Sequence, residues 1–216
     1  MRVLGFGASN SRRSINARLA RHALERLRSH HLPEAETDML DLNDFEMPIY
    51  SIDREHSSGV PALAQRFLDR LAWADRIIIS FAEHNGAYTV AFKNVFDWAS
   101  RIQTKLYQGK PLLILSTSPG GRGGASVLKM ASERAGFQGG EVRATFSLPR
   151  FEQAFSDTDG GLTDPEQQQA LDDALRRLLR PPATRTSVVY GARGRTPLAT
   201  APRHRPRGQH AAHSGG

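Results

Sequence analysis

The 216-residue sequence predicts an α/β fold in which a five-stranded parallel sheet lies between two layers of helices. Two observations predict this fold. Short apolar runs alternate with longer segments whose apolar residues recur every three or four positions, which is the pattern of repeated strand–helix units. The runs at 77–79 and 112–115 are apolar at every position, as in central parallel strands that helices cover on both faces.

Five apolar runs are the predicted strands. The second run contains Asp38 and Asp41 between apolar residues, which is typical of a partly solvated strand at the edge of a sheet. The predicted strands are Val3–Phe6, Thr37–Leu42, Ile77–Phe81, Leu112–Thr117 and Val142–Ser147.

Five other segments are predicted helices, because each carries one apolar stripe at helical spacing. The last helix is expected to begin at Pro165, since Thr163 or Asp164 can cap it and proline is favoured in a first turn. The stripes are Ile15, Leu19, Ala23 and Leu27; Leu63, Phe67 and Leu71; Ala91, Val95, Trp98 and Ile102; Val127, Ala131 and Ala135; and Leu171, Leu175, Leu178 and Leu179.

The order of these elements favours one topology. Right-handed crossovers between successive parallel strands lead to a flavodoxin-like three-layer sandwich with strand order 2-1-3-4-5. In a sheet of this order, a ligand is expected at the carboxyl ends of the first and third strands, where the direction of winding reverses.

The positive charge of the chain is concentrated at one end. Residues 181–216 contain six arginines and no lysine or acidic residue, so they carry +6 of the net +7 and leave +1 for residues 1–180. This segment is rich in proline and glycine and has no helical or strand periodicity, which predicts disorder. We therefore expect a folded domain at 1–180 and a basic tail at 181–216 that the fold does not need.

Composition excludes several classes of protein. No apolar run approaches the roughly 18 to 20 residues that span a bilayer, and the first residues lack a secretory signal pattern, so we expect a cytoplasmic protein without membrane contact. The absence of cysteine excludes disulfides, thiolate ligands and thiol nucleophiles. His30 and His31 have no carboxylate at ligand spacing, so no metal site is expected. The tail has one aromatic residue, Tyr190, and is expected to bind polyanions only non-specifically, without specific recognition of nucleic acid.

The loop Gly7–Asn16 follows the first strand and is rich in serine and asparagine. Such a loop binds anions, because backbone N–H groups converge at a helix N-terminus and hydroxyl groups complete the hydrogen bonds. Asn10 stands where a dinucleotide fingerprint requires glycine, and no Walker lysine follows. A monophosphate is the better fit, and the alternative is a capped loop without a ligand.

Two further unusual loops, Ser80–Thr89 and Ser116–Gly124, follow the third and fourth predicted strands. In the predicted strand order, all three loops meet at one edge of the sheet. Their glycines permit close approach of the backbone to a flat ring. The sequence therefore predicts a planar ligand that carries a phosphate.

These residues resemble the NADPH-dependent FMN reductase family, which has a flavodoxin-like fold and includes azo, quinone and chromate reductases. The resemblance covers residues 2–180. Three motifs carry it: the first loop with Ser9, Ser14 and Asn16; Glu83–Gly86 followed by Ala91–Trp98; and Ser118–Gly121. Ala82 and His84 stand where the family usually has proline and tyrosine.

The resemblance implies FMN as cofactor and NADPH or NADH as hydride donor, with electrons passing to a quinone, azo, metal-oxyanion or flavin acceptor by a ping-pong mechanism. It assigns no catalytic acid or base. The first loop is implied to hold the FMN phosphate, and the other two loops are implied to frame the isoalloxazine ring. The implied cofactor-binding residues are Ser9, Ser11, Arg12, Ser14, Ile15, Asn16, Glu83, His84, Asn85, Gly86, Thr117, Ser118, Pro119, Gly120, Gly121 and Arg122.

The alternative function is a non-enzymatic electron carrier or an FMN-binding regulatory protein. Carriers of the flavodoxin type expose an acidic docking surface, which a nearly neutral domain lacks, so the enzyme is favoured. A homodimer or homotetramer is also expected. Phe92, Phe96 and Trp98 cannot all lie on the inward stripe of their helix, and the surplus aromatic surface needs a partner.

Overall fold

The computed structural model describes residues 1–158 and 160–181. Its main sheet is parallel and five-stranded, with the order β2-β1-β3-β4-β5. This order confirms the predicted flavodoxin-like topology, and each predicted strand is present. The predicted tail lies outside the described residues, apart from Pro181. The strands are β1 (Arg2–Ala8), β2 (Glu36–Leu40), β3 (Arg76–Phe81), β4 (Pro111–Thr117) and β5 (Glu141–Leu148).

All five predicted helices are present, and Asp164 caps the last one through a hydrogen bond from the Glu166 N–H. Two short helices and a small strand pair, β6 (Phe155–Ser156) with β7 (Gly161–Leu162), were not predicted. Helix α2 buries none of its residues, so it has no apolar stripe to reveal it. The helices are α1 (Ile15–His30), α2 (Ile52–Ser58), α3 (Ala62–Trp73), α4 (Val90–Ile102), α5 (Ala125–Ala135), α6 (Phe151–Ala154) and α7 (Pro165–Leu179), with 3-10 turns at Leu42–Phe45 and Gly136–Gln138.

The sheet separates two hydrophobic cores. Ile77 and Ile79 of β3 belong to the core under α3, α4 and α5, whereas Ile78 belongs to the core under α1 and α7. Successive strand side chains point to opposite faces, so a strand buried on both sides must be apolar throughout. The continuous apolar runs of the sequence have this structural cause.

Helix α1 begins very close to the end of β1. A Cβ atom at Gly7 would lie 2.5 Å from the backbone nitrogen of Ala17, a distance that no side chain can occupy. Glycine at this position therefore permits the first turn of α1 to rest against the last residues of β1. The N-terminus of the helix lies at the carboxyl edge of the sheet as a result.

The aromatic residues of α4 are covered within the chain itself. Phe92 and Trp98 are 2% and 1% exposed, and Phe96 packs partly against the same core. The segment before α2 provides the cover, since the Tyr50 ring packs edge-on against Trp98 with 5.0 Å between ring centroids. The prediction of surplus exposed aromatic surface on α4 is therefore wrong, and this surface no longer supports an oligomer.

A buried carboxylate joins α7 to α1. Asp172 accepts two hydrogen bonds from the Arg26 guanidinium, at 2.9 and 2.8 Å, and lies 2.9 Å from Nε2 of His31. Hydrogen bonding from Arg26 is the main cause that holds the pKa of Asp172 well below its usual range; burial opposes this shift, and the hydrogen bond with His31 adds to it. His31 therefore has a carboxylate partner that is distant in sequence, which residue spacing alone could not reveal.

We expect Asp172→Asn to lower the free energy of unfolding at pH 7 by about 2 kcal/mol, because it removes a charged hydrogen-bonded pair. A lowered folded-state pKa contributes stability above the usual aspartate pKa of about 3.9 and loses it as the pH falls below that value. Urea unfolding should therefore show the difference from wild type narrowing below about pH 4.

The matched control is Asp173→Asn, because Asp173 is the exposed neighbour that pairs with Arg176. It should change stability little. Equal losses for the two variants would show that the α1–α7 pair does not hold the helices together.

Candidate functional site

The three loops predicted to form a site do meet at one edge of the sheet, and hydrogen bonds join them. The Thr89 hydroxyl donates to the carbonyl of Ala8 at 2.9 Å, which ties the start of α4 to the end of β1. The backbone N–H of Val127 in α5 donates to the Glu83 carboxylate at 2.9 Å. The loop after β3 is therefore fixed to the first strand on one side and to α5 on the other.

Asn16 joins the first turn of α1 to two strands. Its Oδ1 atom accepts from the Thr117 N–H at 3.0 Å and from the Ser80 hydroxyl at 2.7 Å. Its Nδ2 atom donates to the Thr117 carbonyl at 3.1 Å. The residue is 2% exposed. Its side chain was predicted to hold a phosphate but points into the protein, so only its backbone N–H remains as a candidate donor.

The hydroxyl groups of the first loop have a different arrangement. Ser9 Oγ accepts from the Ser11 N–H at 3.2 Å, and Ser14 Oγ accepts from the Ala17 N–H at 3.1 Å. Both serines are buried. Since each oxygen acts as an acceptor, and neither hydroxyl proton has an acceptor among the described residues, both protons are available to a ligand.

The backbone of α1 adds further donors. The N–H groups of Ile15 and Asn16 lie in the first turn, where a helix supplies no acceptor, and the helix dipole makes this end positive. The Ile15 side chain packs against the core under α1 and α7, so its possible contribution is through the backbone. Ser11 and Arg12 are exposed beside these groups. The set of donors suits a phosphate group.

The second loop is a tight hairpin turn. The His84 N–H donates to the Ala87 carbonyl and the Ala87 N–H donates to the His84 carbonyl, both at 3.0 Å. Asn85 and Gly86, between them, have φ angles of 52° and 78°, which is the backbone of a type I′ turn. Glu83 was expected beside a ring, but its carboxylate binds the first turn of α5. His84 and Asn85 are exposed.

The third loop is fixed to the segment after β5. The Phe151 N–H donates to the Ser118 carbonyl at 3.1 Å, and the Arg150 N–H donates to the Gly120 carbonyl at 3.0 Å. The Thr117 hydroxyl is buried and donates to the Leu148 carbonyl, so it turns away from the edge. Four consecutive residues of the loop are exposed, namely Pro119, Gly120, Gly121 and Arg122.

A cavity of about 230 Å³ lies beside His84 and Asn10. Its other walls come from the start of α4 and from residues 42–49, which follow β2. Sequence reasoning missed this segment, because it has neither periodicity nor a loop motif. The cavity borders two of the three predicted loops, whereas residues 117–122 do not line it.

Comparison with known proteins identifies the family. Residues 1–153 match the family described as NADPH-dependent FMN reductase. The chain belongs to this family. Its motifs are therefore those of the family, as their resemblance predicted.

Individual relatives agree with this assignment. The chain is similar to a quinone reductase of Escherichia coli, with 34% identity over 80 residues, or 37% of this chain and 43% of that protein. It is also similar to a 2-hydroxy-1,4-benzoquinone reductase of a Burkholderia species, with 36% identity over 115 residues, or 53% of this chain and 58% of that protein. The chain thus spans about half the length of these curated relatives.

A solved structure agrees with the fold. The flavoenzyme NAD(P)H:acceptor oxidoreductase FerB from Paracoccus denitrificans superposes with a TM-score of 0.61 at 24% identity, over 82% of this chain and 96% of that one. Within residues 1–158 and 160–181, no helix is long and apolar enough to cross a bilayer. The same residues contain no cluster of histidine and acidic side chains able to hold a metal ion.

We expect Asn16→Ala to lower the free energy of unfolding by about 3 kcal/mol, because it removes three hydrogen bonds and leaves the buried Thr117 N–H without a partner. Urea unfolding measures this loss. The matched control is Ser11→Ala, an exposed change in the same loop, which should stay within about 0.5 kcal/mol of wild type. If both variants were equally stable, Asn16 would not be the joint between the loops.

Proposed function

We propose that the protein binds FMN at the edge formed by its three loops and uses NADPH or NADH to reduce a small organic acceptor. The observation that carries this proposal is the set of donors at the first turn of α1. Two buried serine hydroxyls and two backbone N–H groups lie there, at the winding reversal where a ligand is expected in sheets of this order.

The residues fit the phosphate of FMN. Ser9 and Ser14 would donate through their hydroxyls, and Ile15 and Asn16 through their backbone N–H groups. Ser11 and Arg12 would contribute from the exposed side of the loop. A phosphate has several acceptor oxygens and negative charge, so it matches both the number of donors and the positive end of the helix.

The isoalloxazine ring would lie between the second and third loops. The turn at 83–86 is held rigid by its paired backbone hydrogen bonds and by the Glu83 carboxylate. Residues 117–121 are held by α1 and by the segment after β5, and Arg122 lies beyond them. These two loops would offer the ring mainly backbone groups. His84, Asn85, Ser118, Pro119, Gly120 and Gly121 would be the closest residues.

Bound FMN supplies hydride chemistry, because its ring accepts a hydride from a nicotinamide and returns two electrons to an acceptor. The chain would position the phosphate, fix the two framing loops and leave one side of the site open. Donor and acceptor would use that side in turn, which gives ping-pong kinetics. We assign no general acid or base.

Quinones are the proposed acceptors, since two similar proteins are described as quinone reductases. Azo compounds, metal oxyanions and flavins are the other candidates. Electron carriage without catalysis is the alternative function. We also propose a homodimer or homotetramer in the cytoplasm.

The proposal predicts one FMN per chain, visible as flavin absorbance that NADPH or NADH bleaches without oxygen and that an added quinone restores. Ser14→Glu should abolish FMN retention by placing a negative charge at the phosphate position. Because Ser14 also caps α1, the exposed Arg12→Glu provides a second variant, with FMN binding weakened about tenfold.

The control is Ser57→Glu in α2, which adds the same charge far from the first loop and should retain full flavin. Circular dichroism verifies that each variant is folded. A wild-type protein that takes up no FMN, or a folded Ser14→Glu protein that retains all of it, would overturn the proposed site.

A further inference from the structure

Apolar residues form slightly more than half of the lining of the cavity beside His84. Leu42, Phe45, Met47 and Val95 contribute apolar side chains. Its lining includes one carboxylate, from Glu46, and neither lysine nor arginine. A neutral ligand with apolar surface gains from burial there, whereas an anion would meet the Glu46 carboxylate, with no lysine or arginine in the lining to pair with.

The size of the cavity limits the ligand further. Pockets that enclose drug-sized ligands measure roughly 300–1,000 Å³, and this one measures about 230 Å³. It is too small to enclose a whole FMN or dinucleotide. A ligand with a single ring or two fused rings fits this volume.

One wall of the cavity is a segment that has no regular secondary structure of its own, residues 47–50. Asn94 of α4 holds it at three points. Asn94 Nδ2 donates to the carbonyls of Met47 and Pro48, at 2.9 and 3.2 Å, and Asn94 Oδ1 accepts from the Tyr50 N–H at 2.8 Å. One side chain therefore binds three backbone groups of this wall.

Other side chains reinforce the same wall. Trp98 Nε1 donates to the Pro48 carbonyl at 2.7 Å, and its ring supports that of Tyr50. The Tyr50 hydroxyl donates to Glu55 at 3.0 Å, and Arg101 donates to the same carboxylate at 2.8 Å. The segment is thus fixed between α4 and α2, and the position of α4 sets the width of the cavity.

We infer that this cavity binds the acceptor as a neutral one- or two-ring compound such as an uncharged quinone, and that Asn94 and Trp98 are positioning residues that set its width. The inference rests on the proposed function and makes it more specific, because it selects uncharged rings over metal oxyanions. It also gives the segment Ala91–Trp98 a role that is separate from holding the flavin.

The first test narrows the cavity. Val90 lines it and is 67% exposed, so Val90→Phe adds a ring without disturbing the core. Ile102→Phe is the matched control, at the exposed far end of the same helix. The measurements are the FMN dissociation constant and the KM values for p-benzoquinone, for menadione and for a sulfonated naphthoquinone.

For Val90→Phe we expect the KM for menadione to rise about tenfold, equivalent to about 1.4 kcal/mol of lost binding, and the KM for p-benzoquinone to rise less. FMN affinity should stay as in wild type. Ile102→Phe should change none of these values. In wild type, the KM for menadione should be lower than the KM for the sulfonated naphthoquinone.

The second test removes the hydrogen bonds that hold residues 47–50 to Asn94. Asn94→Ala removes all three hydrogen bonds, whereas Asn94→Asp keeps the acceptor for the Tyr50 N–H. Asn94→Ala should reduce the difference in KM between one-ring and two-ring quinones, and Asn94→Asp should restore part of it. A merely structural role would instead lower the FMN content of the variant and would lower kcat by the same factor for every acceptor.

The outcomes separate the two proposals. A wild-type protein that binds no FMN or reduces no acceptor overturns the proposed function itself. If wild type is an active flavoprotein, three results overturn the inference about the cavity: weakened FMN binding in Val90→Phe, an unchanged KM for menadione in that variant, or a preference of wild type for the anionic quinone.

Discussion

The buried amide of Asn16 is the interaction on which the functional edge of this protein depends. It lies in the first turn of α1 and binds Ser80 of β3 and both backbone groups of Thr117 in β4. Asn16 ends the first loop, and Ser80 and Thr117 lie where the other two loops begin. A buried polar group left without a partner is costly, so each of these three bonds helps to hold the loops together. The relative positions of the loops are fixed by this requirement.

The same turn of α1 has two separate tasks. The Asn16 side chain points inward and joins two strands, and Ser14 Oγ caps the helix. The Ser14 hydroxyl proton and the backbone N–H groups of the turn are left for a ligand. Glu83 behaves similarly, because its carboxylate binds α5 and is not left for a ligand. A motif that marks a cofactor site can therefore consist largely of residues that build the site without touching the cofactor.

The sequence predicted the sheet, its order and the meeting of the loops, because these follow from periodicity and chain direction. Ile77, Ile78 and Ile79 had to be a strand covered on both faces. The sequence could not predict the position of residues 47–50, because Asn94 binds backbone carbonyls there, and backbone carbonyls carry no sequence signal. The pairing of His31 with Asp172 joins residues far apart in the chain, and the burial of Phe92 depends on the same tertiary contacts.

The central claim is that the loop after β1 holds a phosphate, and comparing FMN with riboflavin tests it most directly. The two ligands share the ring and the ribityl chain and differ only in the phosphate. Hydrogen bonds to a charged group contribute about 1.5–3 kcal/mol each, so titration should show FMN binding at least about 100-fold more tightly than riboflavin, with one FMN per chain. Equal affinity for the two ligands would contradict the account.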